Sequence, residues 1–374
     1  MDKKVFLVFG TRPEAIKMYP VYKALKAYKD IQTTVVITSQ HQEMLRQAID
    51  LFNIDVNYDL HVMEDKQTLT KITVNVLKGL KEIFETDKPN LTLVHGDTTT
   101  TFTSALASFY EKIPVGHVEA GLRTYNKFSP FPEEMNRKLT DDLTDLYFAP
   151  TERAREALIK EGVDNNKIFV TGNTVVDALL EILKKDIKVT LPFDEDARFI
   201  VVTAHRRENW GKPMENICKA VDIISKKFTD YKIIFSVHKN PIVRETVNRI
   251  LKDNKNVFLV EPMDYLTFIK LLSKSTLILT DSGGIQEEAP TLKKPVILMR
   301  DATERPEAVE SGVVKLVGTD TNKIVEEVSN LLSNNTYYQE MITNKNPFGD
   351  GFAGERIAKI VHNFLFNGGT NGIS

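Results

Sequence analysis

The chain has 374 residues, 42% of them hydrophobic and 27% charged, which allows two or three domains at roughly 100–200 residues each and excludes disordered and fibrous classes. Its 49 basic and 51 acidic side chains leave a net charge of -2, so there is no basic surplus to neutralise a nucleic-acid backbone. A single cysteine, Cys218, rules out an internal disulfide and a thiolate zinc cluster. The N-terminus lacks a signal-peptide pattern and no apolar run approaches the roughly 20 residues of a membrane helix, so the chain reads as cytoplasmic without membrane insertion.

Short apolar runs, Val5 to Phe9, Val35 to Ile37, Leu91 to Val94, Phe199 to Val202, Ile233 to Val237 and Leu277 to Leu279, suit parallel strands buried on both faces. Between them, amphipathic stretches such as Leu69 to Phe84, Met214 to Phe228 and Ile324 to Leu332 suit helices. The alternation predicts an α/β chain with two Rossmann-like, doubly wound parallel-sheet domains facing a cleft. Periodicity fades between Lys184 and Asp196, which predicts domains at 1–184 and 185–353. The second series ends near Leu332, and a last helix follows from about Gly354 to Phe366; it can cap either domain.

In this architecture ligands bind at the carboxyl ends of the strands. After the first strand, Gly10-Thr11-Arg12-Pro13-Glu14 leads into a helix expected from about Ala15. Neither the dinucleotide fingerprint nor the Walker phosphate loop is present, so nicotinamide chemistry loses its main support. Arg12 and Lys17 can hold an anion there, with surface salt bridging as the competing account. Leu91 to Val94 ends in His95-Gly96-Asp97-Thr98, where Asp97 fits either a helix N-cap or a catalytic acid or base. Glu119, between Val118 and Ala120-Gly121, has a similar setting. Glu133 precedes a helix expected at Met135 to Leu143, where i,i+4 spacing to Arg137 makes helix stabilisation the plain alternative.

In the second series, one strand ends in His205-Arg206-Arg207 and another in His238-Lys239, which suits a diphosphate or leaving-group site. The most informative motif is Asp281-Ser282-Gly283-Gly284-Ile285-Gln286-Glu287-Glu288. A buried strand that enters Ser-Gly-Gly and then a helix offers backbone N–H groups to a phosphate, while Glu287 or Glu288 can accept from ribose hydroxyls. Arg305, after the next strand, can add charge to that pocket. The residues thus predict a nucleotide diphosphate gripped by the second domain and acidic groups Asp97, Glu119 and Glu133 around the sugar attached to it. The seven histidines form no metal-binding pair, so no metal is expected.

The motifs "FGTRPEAIKM", "HGDTTTT", "GHVEAGLRT", "SPFPEEMNR", "TGNTVVDAL", "TAHRREN", "DSGGIQEEAP", "RDATERPEAVESG" and "NPFGDG" occur in the order found in the non-hydrolysing UDP-N-acetylglucosamine 2-epimerases, and the chain resembles that family over essentially its whole length. The resemblance implies the B-type glycosyltransferase fold, with the C-terminal helix, 354–374, crossing back to complete the first domain. It implies reversible conversion of UDP-N-acetylglucosamine to UDP-N-acetylmannosamine by elimination of UDP to 2-acetamidoglucal and re-addition, with no nicotinamide or other cofactor and no metal. Asp97, Glu119, Glu133 and His205 match the catalytic group, with His205 assisting UDP departure. Arg12, Lys17, Phe268, Ser282, Gly283, Gly284, Glu288 and Arg305 match substrate or UDP contacts. Gln40, Gln67, Arg206 and His238 match a second, activating UDP-N-acetylglucosamine site of regulated members, although Glu43 and Lys66 stand where glutamine and arginine are expected. A homodimer and a supply of bacterial surface polysaccharide synthesis are further implications. A hydrolysing 2-epimerase, a UDP-sugar glycosyltransferase on the same fold and a non-catalytic UDP-sugar sensor are the alternatives.

Overall fold

The computed structural model describes residues 2–39, 42–63 and 68–367, and the chain divides into two compact units, Met1–Ala178 with Phe348–Ser374, and Leu179–Pro347. In the first unit, β1 (Lys3–Phe9), α1 (Arg12–Leu25), β2 (Ile31–Ile37), α2 (Gln42–Phe52), β3 (Tyr58–Asp59), α3 (Leu69–Thr86) and β4 (Leu91–His95) are followed by α4 (Thr99–Tyr110) and β5 (Val115–Val118). Then come α5 (Glu133–Asp142), β6 (Leu146–Ala149), α6 (Glu152–Lys160), β7 (Ile168–Val170) and α7 (Thr174–Lys184), within which the two units divide. The second unit contains β8 (Arg198–Ala204), α8 (Lys212–Lys227), β9 (Tyr231–Val237), α9 (Pro241–Leu251), β10 (Val257–Val260), α10 (Tyr265–Lys274) and β11 (Leu277–Thr280). It continues with α11 (Gly283–Glu288), β12 (Val296–Leu298), α12 (Pro306–Glu310), β13 (Val314–Leu316), α13 (Thr321–Ser333) and α14 (Asn335–Thr343); α15 (Ala353–Phe366) returns to the first unit.

Every strand pairing is parallel. The first sheet runs β3-β2-β1-β4-β5-β6-β7 and the second β10-β9-β8-β11-β12-β13, so each unit has the doubly wound order. The direction of winding reverses between β1 and β4 in one unit and between β8 and β11 in the other. At such a switch point the flanking connections leave on opposite faces and open a crevice at the strand ends. The continuous apolar runs noted in sequence are the central strands: Val5 to Phe9 and Ile200 to Val202 have no more than 1% exposure. Removing each such side chain from water contributes about 1.5–3 kcal/mol.

Several element limits differ from the sequence expectation. The first helix starts at Arg12 rather than near Ala15 because Pro13 fits a first turn, where its missing N–H breaks no bond. The helix expected from Met135 starts at Glu133, which places that carboxylate in its first turn. Helix α14 was not anticipated: "NTYYQEMIT" carries no apolar stripe, Met341 is its buried residue, and its start is fixed by the Asn334 side chain accepting from the Tyr337 N–H.

The N-terminus of α15 is anchored on unit one. Phe352 offers no side-chain cap, and Asp177 of α7 supplies one by accepting from the Gly354 N–H at 2.8 Å. Gly354 itself lies against Pro20 of α1, where an added Cβ would come within 2.7 Å of the proline carbonyl. Burial pushes the Asp177 carboxyl up to about 6, against hydrogen bonds from the Gly354 and Ala353 N–H groups, and its Oδ2 accepts no bond among the described residues. Because the folded value lies above the ordinary one, the fold loses stability as pH rises through about 4 to 6. Asp177→Asn keeps an acceptor for Gly354 and removes the buried charge. It should stabilise the protein by about 1–3 kcal/mol near pH 8 and by little near pH 4, read from urea midpoints at both values.

Candidate active site

At the switch point of unit one, the turns after β1 and β4 are fastened together by Glu14, which is 2% exposed. Its Oε2 accepts from the N–H groups of Gly10 (3.0 Å) and Thr11 (2.7 Å), and its Oε1 from the Thr98 and Thr101 hydroxyls at 2.7 and 3.0 Å. Gly10 is required by space, since a Cβ would lie 2.1 Å from Thr38 Oγ1. Asp97 is not the cap of α4. Thr98 takes that place by accepting from the Thr101 N–H, and this leaves the Asp97 carboxylate for other work.

Asp97 Oδ2 accepts from Arg137 Nη1 at 3.0 Å, and Asn136 Nδ2 donates to the Asp97 carbonyl at 3.0 Å. Arg137 therefore does not serve Glu133 as the i,i+4 spacing suggested; its second bond goes to Glu134 at 2.7 Å. Glu134 also accepts from the N–H groups of Thr124 and Tyr125, so of the two adjacent glutamates it is the one that holds the preceding loop. Burial raises the Asp97 carboxyl above its ordinary range, Arg137 opposes this, and the charges of Glu119 and Glu133 add to the rise. Glu119 and Glu133 are thus both close enough to act electrostatically on Asp97.

Glu119 follows β5 with φ of +69°, a left-handed conformation that is uncommon outside glycine. Strain of about 1–3 kcal/mol at such a residue persists only where neighbours hold it. Lys17 Nζ lies 2.5 Å from Glu119 Oε2, Asn173 Nδ2 donates to the same oxygen at 2.9 Å, and His95 Nε2 stands 3.6 Å away. Burial pushes the Glu119 carboxyl up, but Lys17 and His95 outweigh it and hold the group well below the carboxylate range. Beneath these residues the buried His117 bonds Gly96 O through Nε2 (2.8 Å) and Asp141 through Nδ1 (2.6 Å), and Asp141 also pairs with Arg123 at 2.7 Å. This network fixes the turn that carries Asp97.

At the switch point of unit two, β8 leads into His205-Arg206 and β11 into Asp281-Ser282-Gly283. Ser282 stands at the N-cap of α11 without a side-chain cap bond. Its backbone N–H is already donated to Thr280 Oγ1 at 3.0 Å, so of the three amides expected to face a diphosphate, those of Gly283 and Gly284 are the ones that begin the helix. The Arg206 guanidinium lies 3.2 Å and that of Arg305 3.8 Å from the position a Gly283 Cβ would take. Two guanidinium groups thus converge on Gly283. Arg305 is oriented by Glu287 at 2.7 Å, and Tyr265 donates to Glu288 at 2.7 Å. Glu287, considered with Glu288 as a ribose ligand, is therefore the partner of Arg305.

The His205 and His238 rings stack at 5.9 Å, and burial, followed by the neighbouring His205, lowers His238. Phe268 is half-buried on α10, and Arg12 is the first residue of α1. Of the residues matched to an activating site, Arg206 and His238 belong to this second cluster, while Gln40 and Gln67, like Lys66, lie outside the described residues. Glu14, Asn136, Asn173, Tyr265 and Asp281 were not singled out from sequence. The sequence signal that could have flagged Glu14 is the Thr11-x-x-Glu14 capping box; the others act across long sequence separations. Among the described residues no helix is long and apolar enough to cross a membrane.

The UDP-N-acetylglucosamine 2-epimerase family model matches residues 23–362. A UDP-N-acetylglucosamine 2-epimerase of Yersinia pestis is 52% identical over 96% of this chain and 98% of its own length. The crystal structure of UDP-GlcNAc 2-epimerase from Neisseria meningitidis bound to UDP-GlcNAc superposes with a TM-score of 0.86 at 47% identity, covering 96% of this chain and 99% of that one. The Methanocaldococcus jannaschii UDP-GlcNAc 2-epimerase in complex with UDP-GlcNAc and UDP gives a TM-score of 0.78 at 38% identity, covering 96% and 99%. The two Rossmann-like units are the architecture of these relatives. With the match spanning nearly the whole sequence and both switch points built as described, the chain belongs to the UDP-N-acetylglucosamine 2-epimerase family.

Proposed function

We propose that this protein interconverts UDP-N-acetylglucosamine and UDP-N-acetylmannosamine at C2 by eliminating UDP to bound 2-acetamidoglucal and adding it back. The observation that carries this reading is the different setting of two carboxyls at the strand ends of unit one: Glu119 Oε2 is held by Lys17 and Asn173, which keeps the group ionised, whereas Asp97 has one bond from Arg137 and is raised by burial. Environments that push a pair apart assign one group to proton transfer and the other to charge stabilisation. Asp97, the better proton acceptor, takes the C2 proton. The C2–H electrons become the C1–C2 double bond, while the C1–O bond breaks and its electrons leave with the diphosphate. Glu119, with Lys17 as counter-ion, faces the positive charge that develops on the ring. Glu133 completes the carboxylate set, and UDP returns to C1 as C2 is protonated on the other face.

Unit two provides the nucleotide end of the reaction. Arg206, Arg305 and the Gly283 and Gly284 amides suit a diphosphate, Glu288 the ribose hydroxyls and Phe268 the uracil side of the pocket. His205 donates to the departing diphosphate oxygen. The names of the relatives support UDP-N-acetylglucosamine and UDP as ligands, and we extend the reading to UDP-N-acetylmannosamine, a cytoplasmic homodimer and a supply of activated sugar for surface polysaccharide.

Proton NMR in deuterated water, with UDP-N-acetylglucosamine alone, tests the reaction. New anomeric signals of UDP-N-acetylmannosamine with deuterium at C2 and little net UDP are expected. Free N-acetylmannosamine with stoichiometric UDP would instead make the protein a hydrolysing enzyme, and an unchanged spectrum from folded, ligand-binding protein would overturn the epimerase reading.

A further inference from the structure

Asp281 is fully buried at the end of β11, and the reaction as proposed above gives it no part. Its Oδ2 accepts three hydrogen bonds, from the N–H groups of His205 and Arg206 and from Asn209 Nδ2, each at 2.9 Å. Its Oδ1 makes no well-aligned hydrogen bond among the described residues but lies 2.9 Å from His205 Nδ1, in ion-pair contact with the ring. Burial pushes this carboxyl up, but the His205 ring and the two backbone N–H groups outweigh it and hold it below the ordinary range. An ionised carboxylate accepts and cannot donate. An ionised oxygen 2.9 Å from Nδ1 would repel a ring lone pair there, so the contact favours the tautomer with a proton on Nδ1.

We propose that Asp281 is the positioning residue of His205, fixing the ring by its Nδ1–H so that Nε2 is the nitrogen presented to the departing diphosphate. The His205 side chain is 40% exposed whereas its partner is not exposed at all, as a group that must meet a ligand requires. The remaining charged neighbours fit this assignment. His238 stacks on the same ring and accepts from the Asn240 N–H through its own Nδ1 at 3.2 Å, which leaves Nδ1 of His205 to Asp281. Arg206 shares the carboxylate through its backbone and sends its guanidinium to Gly283. Carboxylates that orient a catalytic imidazole act by holding one tautomer and by stabilising the imidazolium, without taking the proton. Here the proton at Nε2 is the one shared with the leaving oxygen, and Asp281 stays ionised throughout.

The inference rests on the leaving-group role of His205, but its test does not need turnover. In the ¹⁵N-labelled full-length protein, with the His205 signals assigned by their loss in His205→Gln, Nδ1 should carry a proton at neutral pH. In Asp281→Asn the side-chain amide can face Nδ1, and the ring should change to the Nε2–H tautomer. In the same variant kcat for UDP-N-acetylglucosamine should fall about a hundredfold, with KM within about threefold. Asn209→Ala removes one bond to Oδ2 but not the contact to Nδ1; it should lower stability while keeping the tautomer and kcat within about threefold.

An unprotonated Nδ1 in the wild-type protein would overturn the proposal, and so would an Asp281→Asn protein that keeps both tautomer and kcat. Should Asp281→Asn not fold, the wild-type spectrum decides alone. Wild-type protein that leaves UDP-N-acetylglucosamine unchanged would refute the epimerase reading and still leave the tautomer to decide the role of Asp281.

Discussion

Asp97→Asn should lower kcat for UDP-N-acetylglucosamine by about 10²–10⁴-fold, the range removed with a general acid or base, while the Kd for UDP stays within about threefold. The substitution keeps the shape of the side chain, and its amide oxygen can still accept from Arg137 Nη1, so the turn at the end of β4 has no reason to collapse. What is lost is the group that can take a proton. Glu119→Gln should be as damaging for a different reason: it removes the negative charge that pairs with the partly buried Lys17 and is proposed to face the sugar ring. Isothermal titration with UDP and the deuterium assay separate binding from turnover. Unchanged kcat in both variants would remove the assigned roles. The raised Asp97 carboxyl also gives the wild-type profile a direction: its base form is lost from a higher pH than for an ordinary aspartate, so kcat/KM should begin to fall at a less acidic pH.

Asp141→Ala should destabilise the protein by about 3–5 kcal/mol, the cost of breaking a buried ion pair from one side. Arg123 and His117 would lose the carboxylate they share, and the Gly121 N–H its acceptor, in a region where both side chains are almost wholly buried. Burial pushes Asp141 up, but the charges and hydrogen bonds of His117 and Arg123 hold it low. The stability it contributes is therefore present above the ordinary carboxylate range and lost as pH falls through the depressed value. Urea unfolding near neutral pH measures the loss from the midpoint shift. A loss below about 1 kcal/mol would mean that the network contributes no more than an exposed pair. The same substitution should slow turnover, because His117 loses its anchor and with it the hold on Gly96, one residue before Asp97.

Much of this was legible in sequence because buried parallel strands write themselves as unbroken apolar runs, and β1, β4, β8, β9 and β11 all stand where such runs occur. The shortest elements left little trace. Two-residue β3 and three-residue β7 and β13 are too brief for a pattern, and α14 has no stripe because it buries so little. Candidate residues were visible as charged groups just past strand ends; their partners were not. Arg137 prefers Asp97, 40 positions away, to Glu133 on its own helix, and Asn173 reaches Glu119 across 54 positions. Such choices are made by the folded sheet order, which brings β4 beside both β1 and β5. Local spacing carries no information about them.

The left-handed backbone at Glu119 bears on how this protein can be improved. Glycine adopts that conformation without penalty, and the buried carboxylate there also needs the matched charge of Lys17. A library sorted only for heat resistance would be drawn towards glycine at this position, with an uncharged residue at 17 to match. Such winners would be sturdier proteins stripped of the group proposed to face the reacting sugar, which is the form a stability–activity trade-off takes here. Any selection for robustness should therefore score product formation in the same round, or hold positions 17 and 119 fixed.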